Sequence, residues 1–230
     1  MATTIFGHRG CPAHEPENSP AGFRYALTHG AEGIETDLHL TKDGVPVIIH
    51  DETLHRTTNG TGQVADYTLA ELRQFRLPNG EYIPTLADFL QLVGTAPVQL
   101  NLEFKTDVKR YPGIEETVLP LVKEAPLAKP VIFSSFNLAS LLVAQSIDPG
   151  FEYCYLTDRD LKDPDTFCQE YQLAGIHPHH YLAGATVPQR IWTVNDPAVQ
   201  ADLFRRGVAG IFTDDFERAQ QVRQVREEWL

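Results

Sequence analysis

Residues 33–51 read GIETDLHLTKDGVPVIIHD. The first half alternates Ile34, Thr36, Leu38 and Leu40 with Glu35, Asp37 and His39, the period of a strand with one apolar and one polar face. The second half is an apolar run that ends in His50-Asp51. Only Thr41 to Val45 lie between the two, far too short a connection for parallel neighbours, which need a dozen or more residues. The pair must therefore be an antiparallel hairpin, with Asp43-Gly44 as the expected two-residue turn. That register opposes Leu40 to Val47 and Asp37 to His50, and puts Glu35 two residues further along the same face. A slip of one residue would break this arrangement.

Short apolar strands between helical stretches recur along the chain. Strands are expected at Thr4–His8, Gly33–Leu40, Pro46–His50, Val98–Lys105, Val131–Ser134, Glu152–Leu156, Ala174–His177, Arg190–Val194 and Ala209–Thr213. Ser19-Pro20 supplies a cap and a first-turn proline ahead of Phe23, Ala26 and Leu27, and Gly30 closes that helix. Thr85 with Asp88 forms a capping box, and Asp196-Pro197 starts a helix that Gly207 ends. Without the returning strand Pro46–His50, eight strands remain. Eight βα units in about 250 residues is the size of a (β/α)8 TIM barrel. The expected fold is α/β, one domain over residues 1–230, with a hairpin after the second strand and a small insertion at about 52–82. Function in such barrels gathers at the C-terminal ends of the strands. Those ends carry His8-Arg9, Glu35 and Asp37, Glu103 and Lys105, Ser134-Ser135, and Trp192-Thr193-Asn195.

Composition narrows the class. The chain has 230 residues, 42% of them apolar, and a formal charge of −12. That charge and the lack of a basic stripe argue against nucleic acid, yet local cations leave room for a small anionic substrate. No apolar run is long enough to span a bilayer, and MATTIFGHRG has no signal-peptide pattern. Cys11, Cys154 and Cys168 form neither a disulfide framework nor a zinc pattern, so reduced thiols and a cytoplasmic location are expected.

Glu35 and Asp37 project to one side of their strand, and Glu103 is placed similarly in QLNLEFK. Three converging carboxylates repel one another unless a cation sits among them, and oxygen-only ligands favour Mg2+ or Ca2+. The competing reading is a salt-bridge network with Arg9 and Lys105. His8 and His50, both at strand ends, are candidates for general acid and base. Arg9 has a planar fork suited to phosphate, Lys105 shares the Glu103 face, and Trp192 is either a substrate wall or a core residue. His39 is placed at the rim. His177-Pro-His-His180 reads as a loop, with substrate contact by His177 held in reserve. Glu17-Asn18 either braces the loop after strand one or caps the next helix. Ser134-Ser135 lacks the neighbours of a serine nucleophile.

At these residues the chain resembles the glycerophosphodiester phosphodiesterase family, in its bacterial, cytoplasmic-type form. GHRGCPAHEPENSPAGF is similar to that family's HRG…PENT segment, and GIETDLHLTKDGVPVIIHDETLHRTTNGTG to its ELDVxLTKDG…HDxxLxRTTxGxG block. NLEFK, IFSSF and IWTVND are similar to three further strands. The resemblance implies a TIM barrel and divalent-metal-dependent hydrolysis of glycerophosphodiesters to glycerol 3-phosphate and an alcohol. It puts the catalytic pair on His8 and His50, the metal carboxylates on Glu35, Asp37 and Glu103, and phosphate binding on Arg9 and Lys105. It also suggests first attack by the substrate's own 2-hydroxyl, and an insertion from about Glu52 to Tyr82 that covers the pocket and selects the alcohol. Other readings are a lysophospholipase D-like enzyme, a phosphoinositide-type phosphodiesterase, or a non-catalytic barrel that only binds.

Two departures stand out. Only Pro178 to Gln189 separate two strands where the family has a full helix, and Gly184 and Pro188 make that stretch a poor helix. The exposed apolar surface so created would ask for a partner chain, such as the second copy in a homodimer. TDDF replaces the family's TDRP, exchanging a cation for Asp215 beside the barrel mouth.

Overall fold

A computed structural model describes residues 3–227. In chain order the elements are β1 (Thr4–Gly7), α1 (Pro20–Thr28), β2 (Gly33–Leu40), β3 (Pro46–Ile48), a 3-10 turn (Val64–Asp66), α2 (Leu69–Leu72), α3 (Leu86–Val93), β4 (Gln99–Phe104), α4 (Ile114–Glu124), β5 (Ile132–Ser135), α5 (Leu138–Ile147), β6 (Glu152–Thr157), α6 (Pro164–Tyr171), β7 (Gly175–Pro178), β8 (Arg190–Ile191), α7 (Pro197–Arg206), β9 (Gly210–Thr213) and α8 (Phe216–Glu227). Every expected strand forms, although β8 stops at Ile191 instead of reaching Val194. The caps hold as well. The Ser19 hydroxyl accepts from the Gly22 amide at 2.9 Å, Thr85 and Asp88 make a reciprocal box, and Gly207 ends α7 in the left-handed region at φ 66°.

Eight strands run parallel in the order β7-β6-β5-β4-β2-β1-β9-β8, and β3 pairs antiparallel with β2. The ring closes where the Ile176 amide donates to the Pro188 carbonyl at 3.0 Å and Ile176 bridges Gln189. This is a TIM barrel. Period-two alternation sorts its side chains. Ile5, Phe133, Tyr153 and Ile211 face outward into the large core under the helices. Their neighbours Phe6, Ile132, Cys154 and Phe212 meet in a separate cluster inside the barrel, with Trp192 packed on it. Gly33 makes room for that plug, since a Cβ there would lie 2.3 Å from the Phe6 ring. The plug is the floor on which the polar residues of the strand ends stand.

The hairpin register differs by one from the expected one. Leu40 pairs with Pro46, His39 with Val47 and Leu38 with Ile48. The turn has three residues, Lys42-Asp43-Gly44, because Thr41 closes it with both its backbone and its hydroxyl. The Thr41 amide donates to the Val45 carbonyl at 3.0 Å, and the Thr41 Oγ1 accepts from the Val45 amide at 2.9 Å. Gly44 supplies the left-handed residue, φ 78°, that three-residue hairpins need. Asp37 consequently lies opposite Ile49, whose amide donates to the Asp37 carbonyl at 3.3 Å. His50 is brought round by a bend after β3 ends, not by strand pairing.

Residues 179–189 contain no helix. The stretch nevertheless covers its own face. Leu182 is buried, and Tyr181, Ala185 and Val187 pack on the main core. The Gln189 amide group binds Leu182 through both backbone groups at 2.9 and 3.0 Å, and the Asp165 carboxylate accepts from the Thr186 and Val187 amides. Tyr181, Ala185 and Val187 stay only half-buried and line a surface cavity between this stretch and the start of β9. The segment after His50 builds a small core of its own, with Leu54, Val64, Leu72, Leu77 and Ile83 packed on Val47 and Ile49 of the hairpin.

Candidate active site

A cavity of about 90 Å3 opens at the C-terminal end of the barrel, lined by residues from almost every strand. His8, Arg9, Glu35, His50, Glu103, Lys105 and Trp192 all line it, so it gathers every expected site residue except Asp37. Asp37 is buried at the level of Glu103, only 1% exposed. It is placed there by strand register, which pairs Asp37 with Glu103 and Glu35 with Asn101.

Glu35, Asp37 and Glu103 are all buried, and one carboxylate oxygen from each lies within 4.8 Å of the others. Two oxygens bound to one Mg2+ or Ca2+ can be at most about 4–5 Å apart, given bonds of about 2.0–2.6 Å. The donor set and its spacing fit a hard divalent cation. The electrostatics agree. Burial, with the charges of Asp37 and Glu103 close by, holds the Glu35 carboxyl well above the usual range. Burial also raises Glu103, partly offset by Lys105. Burial acts the same way on Asp37, but Arg9, Lys105 and His50 overcome it and hold Asp37 at about 2. Three acids against two cations leave surplus negative charge, and a divalent ion would relieve it.

Arg9 and Lys105 supply those cations. Arg9 Nε is 3.5 Å from Asp37 and Nη1 donates to Glu17 at 2.9 Å. Lys105 Nζ donates to Glu103 at 3.0 Å and lies 3.9 Å from Asp37. The expected metal site and the expected salt-bridge network are thus the same cluster. Arg9 has a left-handed backbone, φ 53°, which aims its amide at Glu35 with a 2.9 Å hydrogen bond. Asn18, also left-handed at φ 54°, donates to Asp37 at 2.8 Å and accepts from Thr36 at 2.8 Å. Non-glycine residues in this region carry strain that surrounding contacts must hold, a common feature of functional sites. Glu17-Asn18 is therefore the brace of the loop.

Each catalytic candidate is held by a carboxylate. His8 Nδ1 is 2.7 Å from Asp214 Oδ1, and His50 Nδ1 is 2.7 Å from Asp51 Oδ1. Such pairs fix the tautomer and leave Nε2 for proton transfer. His50 Nε2 faces the site, 3.3 Å from Lys105 Nζ. Asp214 also accepts from Asn195 at 2.6 Å. Its neighbour Asp215 caps α8 through the Arg218 amide at 3.0 Å, so the replaced cation of TDDF leaves its charge on the helix start. Arg56 grips both Asp51 and Glu17, with two contacts of 2.7 Å to the first and contacts of 2.7 and 2.8 Å to the second. Asp214, Asp51 and Arg56 were not among the expected site residues. Asp51 adjoins His50 in the quoted stretch and was the one within reach of sequence reading.

Other expectations change. No lining residue of the cavity falls in 52–82; the insertion touches the site through Arg56 rather than covering it. His39 is fully buried rather than at the rim, between the Tyr111 hydroxyl at 2.8 Å and the His50 carbonyl at 3.0 Å, where it pins the backbone of His50. His177 sits on β7 and lines the cavity, while His180 pairs with Asp160 at the surface. Trp192 is both wall and anchor, since its Nε1 donates to the His177 carbonyl at 2.7 Å. The three cysteines are free and buried. No helix among the described residues is long and apolar enough to cross a membrane.

Known proteins resemble this chain over nearly its whole length. A glycerophosphodiester phosphodiesterase of Bacillus altitudinis is 37% identical over 241 aligned residues, covering 96% of this chain and 98% of that one. One from Caldanaerobacter subterraneus subsp. tengcongensis is 36% identical, covering 94% and 96%. A solved phosphodiesterase from Oleispira antarctica, in complex with the product sn-glycerol-3-phosphate, superposes with a TM-score of 0.87 at 28% identity over 96% of each chain. Residues 8–218 match the Glycerophosphoryl diester phosphodiesterase family, and with His8 opening that span and the buried acids inside it, the chain belongs to this family.

Proposed function

We propose that this protein hydrolyses glycerophosphodiesters to glycerol 3-phosphate and an alcohol, with Glu35, Asp37 and Glu103 holding Mg2+ or Ca2+. The observation that carries the reading is the meeting, at one small cavity, of two carboxylate-held histidines, two cations and a buried three-acid cluster. A bound divalent ion supplies positive charge for the phosphoryl oxygens as charge builds there. Arg9 and Lys105 neutralise the acids and offer donors to the phosphate. One of His8 and His50 takes the proton of the attacking hydroxyl, whether from water or from the substrate's own 2-hydroxyl. The other gives a proton to the departing alkoxide as its bond to phosphorus breaks. The carboxylate behind each histidine stabilises the imidazolium form. Trp192 walls the substrate. The three free cysteines support a cytoplasmic setting.

The test is release of glycerol 3-phosphate from glycerophosphocholine, with EDTA and with added Mg2+ or Ca2+. Release should require the ion, and His50→Ala should lower turnover by about 10²–10⁴-fold with the fold intact. Release in EDTA at the full rate would remove the metal role; near-normal turnover of the variant would remove His50. A lysophospholipid or phosphoinositide hydrolysed in preference to glycerophosphocholine would move the substrate class.

A further inference from the structure

The mechanism leaves His177, a buried polar residue of the cavity wall, unused. His177 on β7 has no exposed surface, and neither of its ring nitrogens has a hydrogen-bond partner. Its ring lies against Phe212, 5.1 Å between centroids, and its backbone carbonyl is held by Trp192. Asn101 shows the same pattern on β4. Its Nδ2 donates to Ser134 at 2.9 Å, but its Oδ1 is buried and unpaired. Both residues line the same cavity.

Buried polar groups are nearly always paired. A hydrogen-bonding ring without a partner costs stability that an apolar side chain of similar size would not. Packing alone therefore does not account for His177. Burial drives its proton off and keeps the ring neutral, so it offers one donor and one acceptor. That is the complement of an alcohol hydroxyl. The Asn101 carbonyl adds a second acceptor. The adjoining wall of Leu156, Trp192 and Phe212 is apolar and suits a short carbon skeleton.

We propose that His177, with the Asn101 carbonyl, binds the free hydroxyls of the glycerol end of the substrate and so selects glycerol diesters over other phosphodiesters. The inference rests on the activity proposed above. Glycerol is the constant part of every glycerophosphodiester, and the cavity is small, about 90 Å3. The variable alcohol then points to the open mouth, from which it leaves. A site that has desolvated its polar groups for a hydroxyl rejects a ligand without one, because those groups stay unpaired.

The experiment is titration calorimetry of the full chain in Mg2+, with sn-glycerol 3-phosphate and with ethyl phosphate, which keeps the phosphate but lacks the hydroxyls. The wild type should bind glycerol 3-phosphate about tenfold tighter or more. His177→Phe should erase that preference and leave ethyl phosphate within about twofold, and His177→Gln should retain part of it. Equal weakening toward both ligands would overturn the proposal, since it marks a general structural role. So would a wild type with no preference, a measurement that stands even if the variants fail to fold. Release of glycerol 3-phosphate from glycerophosphocholine by the wild type is the separate check on the activity itself.

Discussion

His8 and Asp214 are 206 residues apart in the chain and 2.7 Å apart in the barrel. Pairing of the first and last strands, β1 and β9, makes the contact, because the His8 amide donates to the Thr213 carbonyl at 2.9 Å and brings the two side chains together over the mouth. His8 pulls the Asp214 carboxyl below its usual range despite partial burial. The carboxylate holds Nδ1 of the ring and leaves Nε2 for the substrate.

Asp214→Asn replaces an acceptor-only group with one that can donate, so it favours the wrong tautomer of His8. Turnover of glycerophosphocholine should fall by about 10-fold at least and up to about 10⁴-fold, the loss that a wrong tautomer causes in an acid/base histidine. KM should change little, because Asp214 does not line the cavity. Steady-state kinetics decides it, and an unchanged kcat would show that His8 needs no such partner.

Arg56 ties the insertion to both halves of the site through Asp51, behind His50, and Glu17, behind Arg9. Isolated surface ion pairs contribute little, but these are bidentate contacts within a network. Arg56→Ala should lower kcat/KM by about tenfold or more while shifting the melting temperature only slightly. Arg56→Lys should recover little, because an ammonium cannot hold two carboxylates in fork geometry.

The acid cluster couples stability to pH and to metal. Glu35 and Glu103 have folded pKa values above the ordinary glutamate value of 4.5. Their contribution to stability is fully present below the unfolded value and is lost as pH rises through the raised folded values. Carboxylates held low, such as Glu17 and Asp214, finish titrating below that window. In EDTA, therefore, the melting temperature should decline across this window above 4.5, and Mg2+ or Ca2+ should cancel the decline. Melting curves with and without the ion test this, and parallel curves would remove the cation from the three-acid cluster.

Gly33 is a packing requirement. A Cβ there would meet the Phe6 ring at 2.3 Å, and Phe6 is wholly buried in the barrel plug. Gly33→Ala should cost about 1–3 kcal/mol, the usual penalty for overpacking a filled core. Urea denaturation measures it, and a loss under about 0.5 kcal/mol would show that the plug can shift.

The quoted stretch shows what was legible. Alternation from Ile34 to Leu40 marks a strand with acids on one face, and five intervening residues, Thr41 to Val45, force a hairpin. Caps at Ser19, Thr85 and Asp196 likewise lie within a few residues of the groups they serve. Periodicity, caps and connection length are local properties, so the strands, the barrel and the ordered motifs of the family could all be read from the chain. The turn was not settled in this way. Asp43-Gly44 suits a two-residue turn, but the Thr41 hydroxyl and the left-handed Gly44 close a three-residue one and move every pairing by one.

Tertiary structure decided which polar groups meet. Asp214 reaches His8 only because β1 pairs with β9, and Arg56 reaches Glu17 only because the insertion packs on the hairpin through Val47 and Ile49. The sequence places His177 at a strand end, with substrate contact in reserve, but only the tertiary structure leaves its ring buried and unpaired on the cavity wall. A residue's neighbours in sequence set its backbone. Its desolvation and its charge partners come from strands that meet across the barrel, and those set the chemistry of the site.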